Sequence, residues 1–467
     1  MDIQSPYQTG EKMKLRQKAA VAIAAISLAS VAGVGPVHAG SAVGGGGASF
    51  LANMMDICSA QYNRNTASNT ATDTFTYASV GSSAGKTGYA NGTYKFGGSE
   101  SAYTSGAPAG LVYVPLVGGS IAIGYRVDGM QPAGATVRLS SELVAKIFAG
   151  QIKNWNDPAI AAVNKATTVA KKLKATKDGV TVSVAKKASN VQFAVSMTPA
   201  AAKKYKNAKV TISATVLGGE AKSIYSAKSA AKLAKTAAYA ANTVYTVKAG
   251  KTLVGTLAVA SVKDGETITF PNTPIRVVHR SDGSGTTNNF INFLNKSFPS
   301  IWTKVTSDTY SSGFPGTLPT DGSFQSAKGN EGLASYVRDN NGSITYAELS
   351  FLEERQVKAA AVSNPAGKYV LPSAVTSAVW LDAAEVSAEG LVTQNFTTTA
   401  ADAYPINAVS YGLSSTAVSA TNASVKSFFS YFLNTCAPKN AAGAGYTPLT
   451  GAILTKALAQ VTKINPG

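Results

Sequence analysis

The sequence predicts an α/β protein of two lobes, interrupted by an inserted, mostly β module. Three observations predict it. Strand-like runs end in Gly-rich turns that lead straight into helices with apolar periodicity, most plainly from Ile275 to Leu294. Basic charge is concentrated in one segment, 164–270, which holds 18 Lys, no Arg and 4 acids and so carries +14 of the chain's formal +18. Setting aside that segment and a leader at the N-terminus leaves about 320 residues, a natural size for two lobes.

The leader occupies residues 1–39. Lys12, Lys14, Arg16 and Lys18 precede an apolar run rich in Ala, Val and Ile that ends in Val37-His38-Ala39. A basic stretch, a short apolar run and small residues before the cut form a secretory signal, so cleavage is expected after Ala39. Met13 is an alternative start. No Cys sits at the cut to carry a lipid, which leaves a product free in a periplasm or outside the cell. Cys58 and Cys436 remain. In an oxidising compartment an even pair suggests one disulfide, with two buried thiols as the alternative. A bridge would place both ends of the mature chain in one lobe.

Within 164–270, alternation at Val180–Val184 and Val210–Val216 reads as strand, while the Ala/Lys stretch around Ala227 to Ala241 reads as helix. The lack of Arg and the few aromatics argue against nucleic acid, whose recognition favours both. A solvated face, or contact with anionic cell-envelope components, fits better.

Four segments outside the insert offer backbone N–H groups and hydroxyls in Gly-rich turns. They are Gly44-Gly-Gly-Gly-Ala-Ser-Phe50, Ser79-Val-Gly-Ser-Ser-Ala-Gly85, Phe96-Gly-Gly-Ser-Glu100 and Ile275-Arg-Val-Val-His-Arg-Ser-Asp-Gly-Ser-Gly-Thr-Thr287. The first leads into an apolar stretch, Leu51 to Ile57, that can start a helix. The second follows a strand-like run from Thr74 to Val80. In the fourth, strand, turn and helix aim free N–H groups and a positive helix end at one point. Ser284 and Thr286 add hydroxyls there, and Arg280 adds a planar fork suited to a tetrahedral anion.

Further stretches complete the pattern: Val114-Pro-Leu-Val-Gly-Gly-Ser120, Ile147-Phe-Ala-Gly-Gln-Ile-Lys-Asn-Trp-Asn-Asp-Pro158, Gly329-Asn-Glu-Gly332, Gly342-Ser-Ile-Thr-Tyr346 and Tyr404-Pro-Ile406. In this order they resemble the phosphate-binding proteins of bacterial phosphate ABC transporters, a periplasmic receptor family with two α/β lobes and a hinge. The resemblance implies inorganic phosphate as ligand and a membrane permease as partner, with no cofactor, metal or catalysis. It implies phosphate ligands at Ser49, Phe50, Ser82, Glu100, Arg280, Ser284, Gly285 and Thr286, and Asp282 as the acid that holds the arginine. The stretch containing Trp155 resembles a family surface segment facing the transporter. Glu100 stands where the family usually has Asp. A carboxylate can accept the proton that hydrogen phosphate keeps near neutral pH and sulfate lacks, and Glu makes that bond from one methylene further away.

Two other motifs misfit. Gly81-Ser-Ser-Ala-Gly-Lys-Thr87 resembles a nucleotide loop, but Val80 stands where its first Gly belongs. Val337 to Glu348 mimics a calcium loop whose first ligand would be Val337, so a helix-turn-strand connection is expected. A catalytic triad is unattractive because His279, Asp282 and Ser284 crowd one strand-turn. The alternatives are another oxyanion (arsenate, sulfate or molybdate), a secreted phosphatase, or an envelope-attachment protein. Lobe I is expected over 40–124 and 408–467, lobe II over 125–163 and 271–407, with crossings near Ile121–Tyr125 and Ile406–Ser410. A helix capped by Ser140 and followed by Gly150 is expected in lobe II.

Overall fold

The computed structural model describes residues 40–165, 172–187, 190–216, 221–228, 232–238, 243–259 and 267–465; the expected leader lies outside them. In chain order the elements that build the scaffold are β1 (Ala42–Gly47), α1 (Ala52–Asn63), β2 (Thr74–Ser79), α2 (Ser82–Ala90), β3 (Phe96–Ser99), β4 (Leu111–Tyr125), β5 (Arg276–Arg280), α3 (Gly285–Ser297), β6 (Phe324–Ala327), α4 (Gly329–Asp339), β7 (Ser343–Glu348) and β8 (Asn407–Ser415).

Their order across the sheet is β6-β5-β7-β4-β8-β3-β1-β2. It contains the same unit twice. In the first half β1 pairs parallel with β2 and β3; in the second, β5 pairs parallel with β6 and β7. Helices between successive strands are the crossovers that parallel pairing requires. The antiparallel strand β4 joins the units: 111–120 pair with β8, and 121–125 pair with β7. Beside this change of partner the chain crosses again, where Ile121 N donates to the Ile406 carbonyl at 2.9 Å. In both units the central strand is flanked by strands whose connections leave in opposite directions, so the carboxyl ends of β1 and β5 open a crevice.

Each half has an aromatic centre. In the first, Phe428 stacks on Phe75 at 4.5 Å and also meets Tyr62 and Phe96. In the second, Tyr346 stacks on Phe290 at 4.4 Å and also meets Phe148 and Tyr310. Phe290, Ile291, Phe293 and Leu294 are the buried side of α3, as their spacing predicts. Ser140 caps Ser141–Phe148 by accepting from Leu143 N, and Gly150 has φ of 72° just beyond that helix's end. The cysteines are joined: Cys58 on α1 is bridged to Cys436. Residues 337–348 are the end of α4, a turn and β7, the connection expected in place of a calcium loop.

The insert leaves and returns at one point, where the Asn164 carbonyl accepts from Ile268 N at 2.9 Å. Its described strands form two four-stranded antiparallel sheets around their own core, which includes Val182, Phe193, Ile212, Tyr245 and Leu257. The strands at 180–187 and 209–216 agree with expectation. Of the helix expected over 227–241, the described residues are strand: 227–228 end one strand, and Lys232–Ala238 is an edge strand paired with Asn190–Met197. Ala and Lys are good helix formers, but intrinsic propensity is a weak force beside tertiary context, and backbone pairing to an open sheet edge overrides it. Lysines on such an edge also deter further pairing.

The Trp155 segment has a buried anchor, and one expected boundary shifts. Trp155 is fully buried, donates its indole N–H to the Gly342 carbonyl at 3.0 Å and stacks on Phe270, so it anchors its segment and presents no ring to a partner. Residues 374–393, assigned to lobe II, pack largely on the other half: Leu381 lies against Gly118, and Gly390 against Tyr113 and Gln460.

Candidate functional site

Three helix starts meet in the crevice. After β1 the chain makes a tight turn at Ser49–Leu51 and enters α1. After β2, Gly81 takes φ of 89° and α2 begins at Ser82. After β5, Ser284 caps α3 by accepting from Thr287 N at 3.1 Å. The first turn of a helix has N–H groups without intrahelical partners, and its dipole favours an anion.

Contact between the helix starts is intimate. A methyl group placed on Gly285 would lie 2.6 Å from Ser82 Oγ and 2.8 Å from Glu100 N, so only glycine lets α3 approach α2 this closely. Glu100, at the end of β3, is buried. Its Oε2 accepts from Ser82 Oγ and Thr286 Oγ1, both at 3.4 Å, and its Oε1 accepts from Ser410 Oγ on β8 at 3.1 Å. Burial pushes this carboxyl up to about 7, against the Ser410 hydrogen bond and the Arg280 charge, which pull it down.

Arg280 is buried at the end of β5. Asp282 Oδ1 accepts from its Nε at 2.6 Å, and Asp282 Oδ2 accepts from its Nη2. Burial disfavours charge on Asp282, but the two Arg280 contacts and Gly329 N, donating at 3.1 Å, hold it below the usual carboxylate range. The pair is thus fixed in place, with its positive charge partly neutralised and the rest of the guanidinium fork still presenting donors.

Ser49 is set as a donor by a residue that sequence reasoning left without a role. Asn330 donates to Ser49 Oγ twice, from its backbone N at 3.2 Å and its Nδ2 at 2.9 Å. With both lone pairs occupied, the hydroxyl has only its proton to offer. Phe50 is held next door, its carbonyl accepting from Tyr446 Oη at 2.6 Å. All eight expected ligand positions and Asp282 therefore gather at the strand ends. Asn330 stood inside a quoted stretch, Gly329-Asn-Glu-Gly332. Ser410 had no local signal, since it lies in a buried strand 310 residues from its partner.

His279 lies beside the site without facing its chemistry: its ring stacks on Tyr310 at 4.4 Å and its Nδ1 meets the Arg280 carbonyl at 3.0 Å. Among the described residues no cluster of His, Cys, Asp and Glu is arranged to hold a metal. No helix among them is long and apolar enough to cross a membrane.

Two α/β units facing each other across strand ends, with donors from both around one buried point, define the architecture of a two-lobed solute receptor. The family model described as a PBP superfamily domain matches residues 35–267 and 263–435, and the chain belongs to that superfamily. Among curated proteins it is similar to the phosphate-binding protein PstS of Xylella fastidiosa, 26% identical over 377 residues that cover 79% of this chain and 70% of that protein. A shorter match, 35% identical over 151 residues, links it to the protein of the same name in Haemophilus influenzae, over 31% of this chain and 41% of that one. Among solved structures it shares its fold with a high-affinity periplasmic phosphate-binding protein, PfluDING, bound with phosphate (TM-score 0.53, 19% identity, 89% and 93% coverage). It shares it also with a phosphate-binding protein from Stenotrophomonas maltophilia (TM-score 0.52, 17% identity, 90% and 93% coverage).

Proposed function

We propose that this protein is an extracytoplasmic receptor that captures inorganic phosphate and delivers it to the membrane permease of an ABC-type importer. One observation carries the reading. Ser82 and Thr286, from opposite halves, both donate to the buried acceptor Glu100, which the Arg280 charge also reaches, and the helix starts that carry Ser49 and Ser284 stand at the same ends of the strands. A donor cage alone would suit any tetrahedral dianion. A buried carboxyl in that cage favours an anion carrying a proton, because sulfate would set an ionised Glu100 against a second anion with no proton between them or force it to bind a proton from solvent.

Ser49, Phe50, Ser82 and Glu100 act from one half, and Arg280, Ser284, Gly285 and Thr286 from the other. A ligand bonded to both sides stabilises the closed arrangement. Binding and release are the whole activity: Ser284's hydroxyl oxygen is occupied as a helix cap and His279 is stacked away, which favours a receptor over a phosphatase. The leader, residues 1–39, delivers the chain to the periplasm and is removed after Ala39. The lysine-rich insert meets anionic components of the envelope. Equilibrium dialysis with radiolabelled phosphate tests the ligand: the mature protein retains phosphate, and Arg280→Ala lowers affinity by roughly a hundredfold or more, the scale of losing a buried bidentate donor. Equal retention by both proteins would remove Arg280 from the site.

A further inference from the structure

Behind the two helix starts lies an ion pair that the anion site does not use. Asp308 belongs to the loop between α3 and β6, in the second half. Its Oδ2 accepts from three groups of the first half: Ser83 Oγ at 2.8 Å, Lys86 Nζ at 2.9 Å and Ser101 Oγ at 3.1 Å. Its Oδ1 accepts from Asn288 Nδ2 on α3 at 3.0 Å, and its carbonyl accepts from Ser284 N at 2.8 Å. One carboxylate oxygen is thus committed to its own half, and the other is offered across the crevice. Lys86 is equally well placed, on α2, with Ser101 Oγ and the Ala102 carbonyl as further acceptors, both at 3.0 Å. The two side chains are 13% and 15% exposed, shielded enough to outweigh an ordinary surface pair.

We propose that Lys86 and Asp308 form a latch that is made only when the two halves close, and that it sets the rate at which bound anion escapes. The proposal deepens the receptor reading and rests on its two-lobed closure. The cross-crevice partners of Asp308 Oδ2 come from α2 and the turn after β3, which move with the half that carries Ser82 and Glu100. Asp308 itself is tied to Ser284 and α3. Opening must therefore pull Lys86, Ser83 and Ser101 from Asp308 together, and charge-assisted bonds lost together slow release more than affinity at rest suggests.

Two single variants separate a latch from a simple field effect. Asp308→Asn removes a negative charge near the anion and Lys86→Gln removes a positive one, so electrostatics alone would move affinity in opposite directions. A latch predicts the same direction for both: phosphate dissociation, followed by stopped flow, speeds up roughly five- to tenfold in each, and Lys86→Arg restores most of the wild-type rate. Spin labels at Lys95→Cys and Lys304→Cys, exposed on opposite halves, read closure without any ligand. In that background both variants shift the distance distribution towards longer separations. Unchanged rates and unchanged distances in both folded variants overturn the latch, as do opposite effects on release. Wild-type protein that binds no phosphate would overturn the receptor reading instead, while the distances still decide the latch.

Discussion

A carboxyl group buried among Ser82, Thr286 and Ser410 is costly to ionise, and its folded-state value near 7 expresses that cost. On the proposed reading, hydrogen phosphate would relieve it by donating a hydrogen bond, and Glu100 would be the residue that separates phosphate from sulfate. Glu100→Gln offers an amide donor in place of the acceptor; at pH 8, competition binding should show sulfate affinity rising at least tenfold and phosphate affinity falling. The same burial acts on stability. Glu100, Glu348 and Glu353 are raised by desolvation to about 7, 8 and 7. A raised acid stabilises the fold below its unfolded value near 4.5 and loses that contribution as pH climbs through the folded value. Denaturant midpoints of the phosphate-free protein should accordingly fall between pH 5 and pH 9, and Glu348→Gln should flatten the slope. The short patterned turns that carry Arg280, Asp282 and Glu100 were legible. Asn330, Ser410 and the Lys86–Asp308 pair were not, because their partners lie 281, 310 and 222 residues away and meet them only through tertiary structure.

Among elements, the turns after β1, β2 and β5 do the positioning. The turn after β5 was readable in full as strand, Gly-rich turn and helix, an order that forces first-turn N–H groups toward the strand's carboxyl end, whereas only the helix after β1 and only the strand before the β2 turn were read. The bridge between Cys58 and Cys436 secures the first of these helices to the C-terminal region. Reduction should lower stability by about 3–5 kcal/mol, given the long loop that the bridge closes, with phosphate affinity at moderate temperature unchanged. Thermal unfolding with and without reductant, followed by calorimetry on the reduced protein, checks both halves of that statement. The stretch 232–238, expected as helix and found as strand, marks the opposite limit. Its composition suits a helix, but the stretch 232–238 lies at a sheet edge that supplies hydrogen bonds along its whole length, and no pattern within the segment announces its neighbour.

Across the whole molecule, charge and chemistry are separated. The proposed anion site is lined by neutral donors and one partly neutralised arginine, while most of the +18 sits on a module with its own core. The change in composition revealed that module, and the meeting of Asn164 with Ile268 shows why the scaffold tolerates it: the chain leaves and returns at a single point. Replacing residues 166–266 with a short Gly-Ser linker should leave phosphate affinity within about twofold, because separate cores act nearly additively. Adsorption to anionic envelope polymer should be lost in the same variant, measured by co-sedimentation. The doubled β-α unit was legible in outline, whereas the path of 374–393 onto the other half was not, because its contacts with 113–118 and Gln460 depend on how the lobes fold together. A closed cage that selects a protonated tetrahedral anion should discriminate in titration calorimetry of the mature protein with phosphate, arsenate and sulfate at pH 8. Tight binding of phosphate and arsenate with little heat from sulfate is the predicted result; tight sulfate binding with no response to phosphate would contradict it.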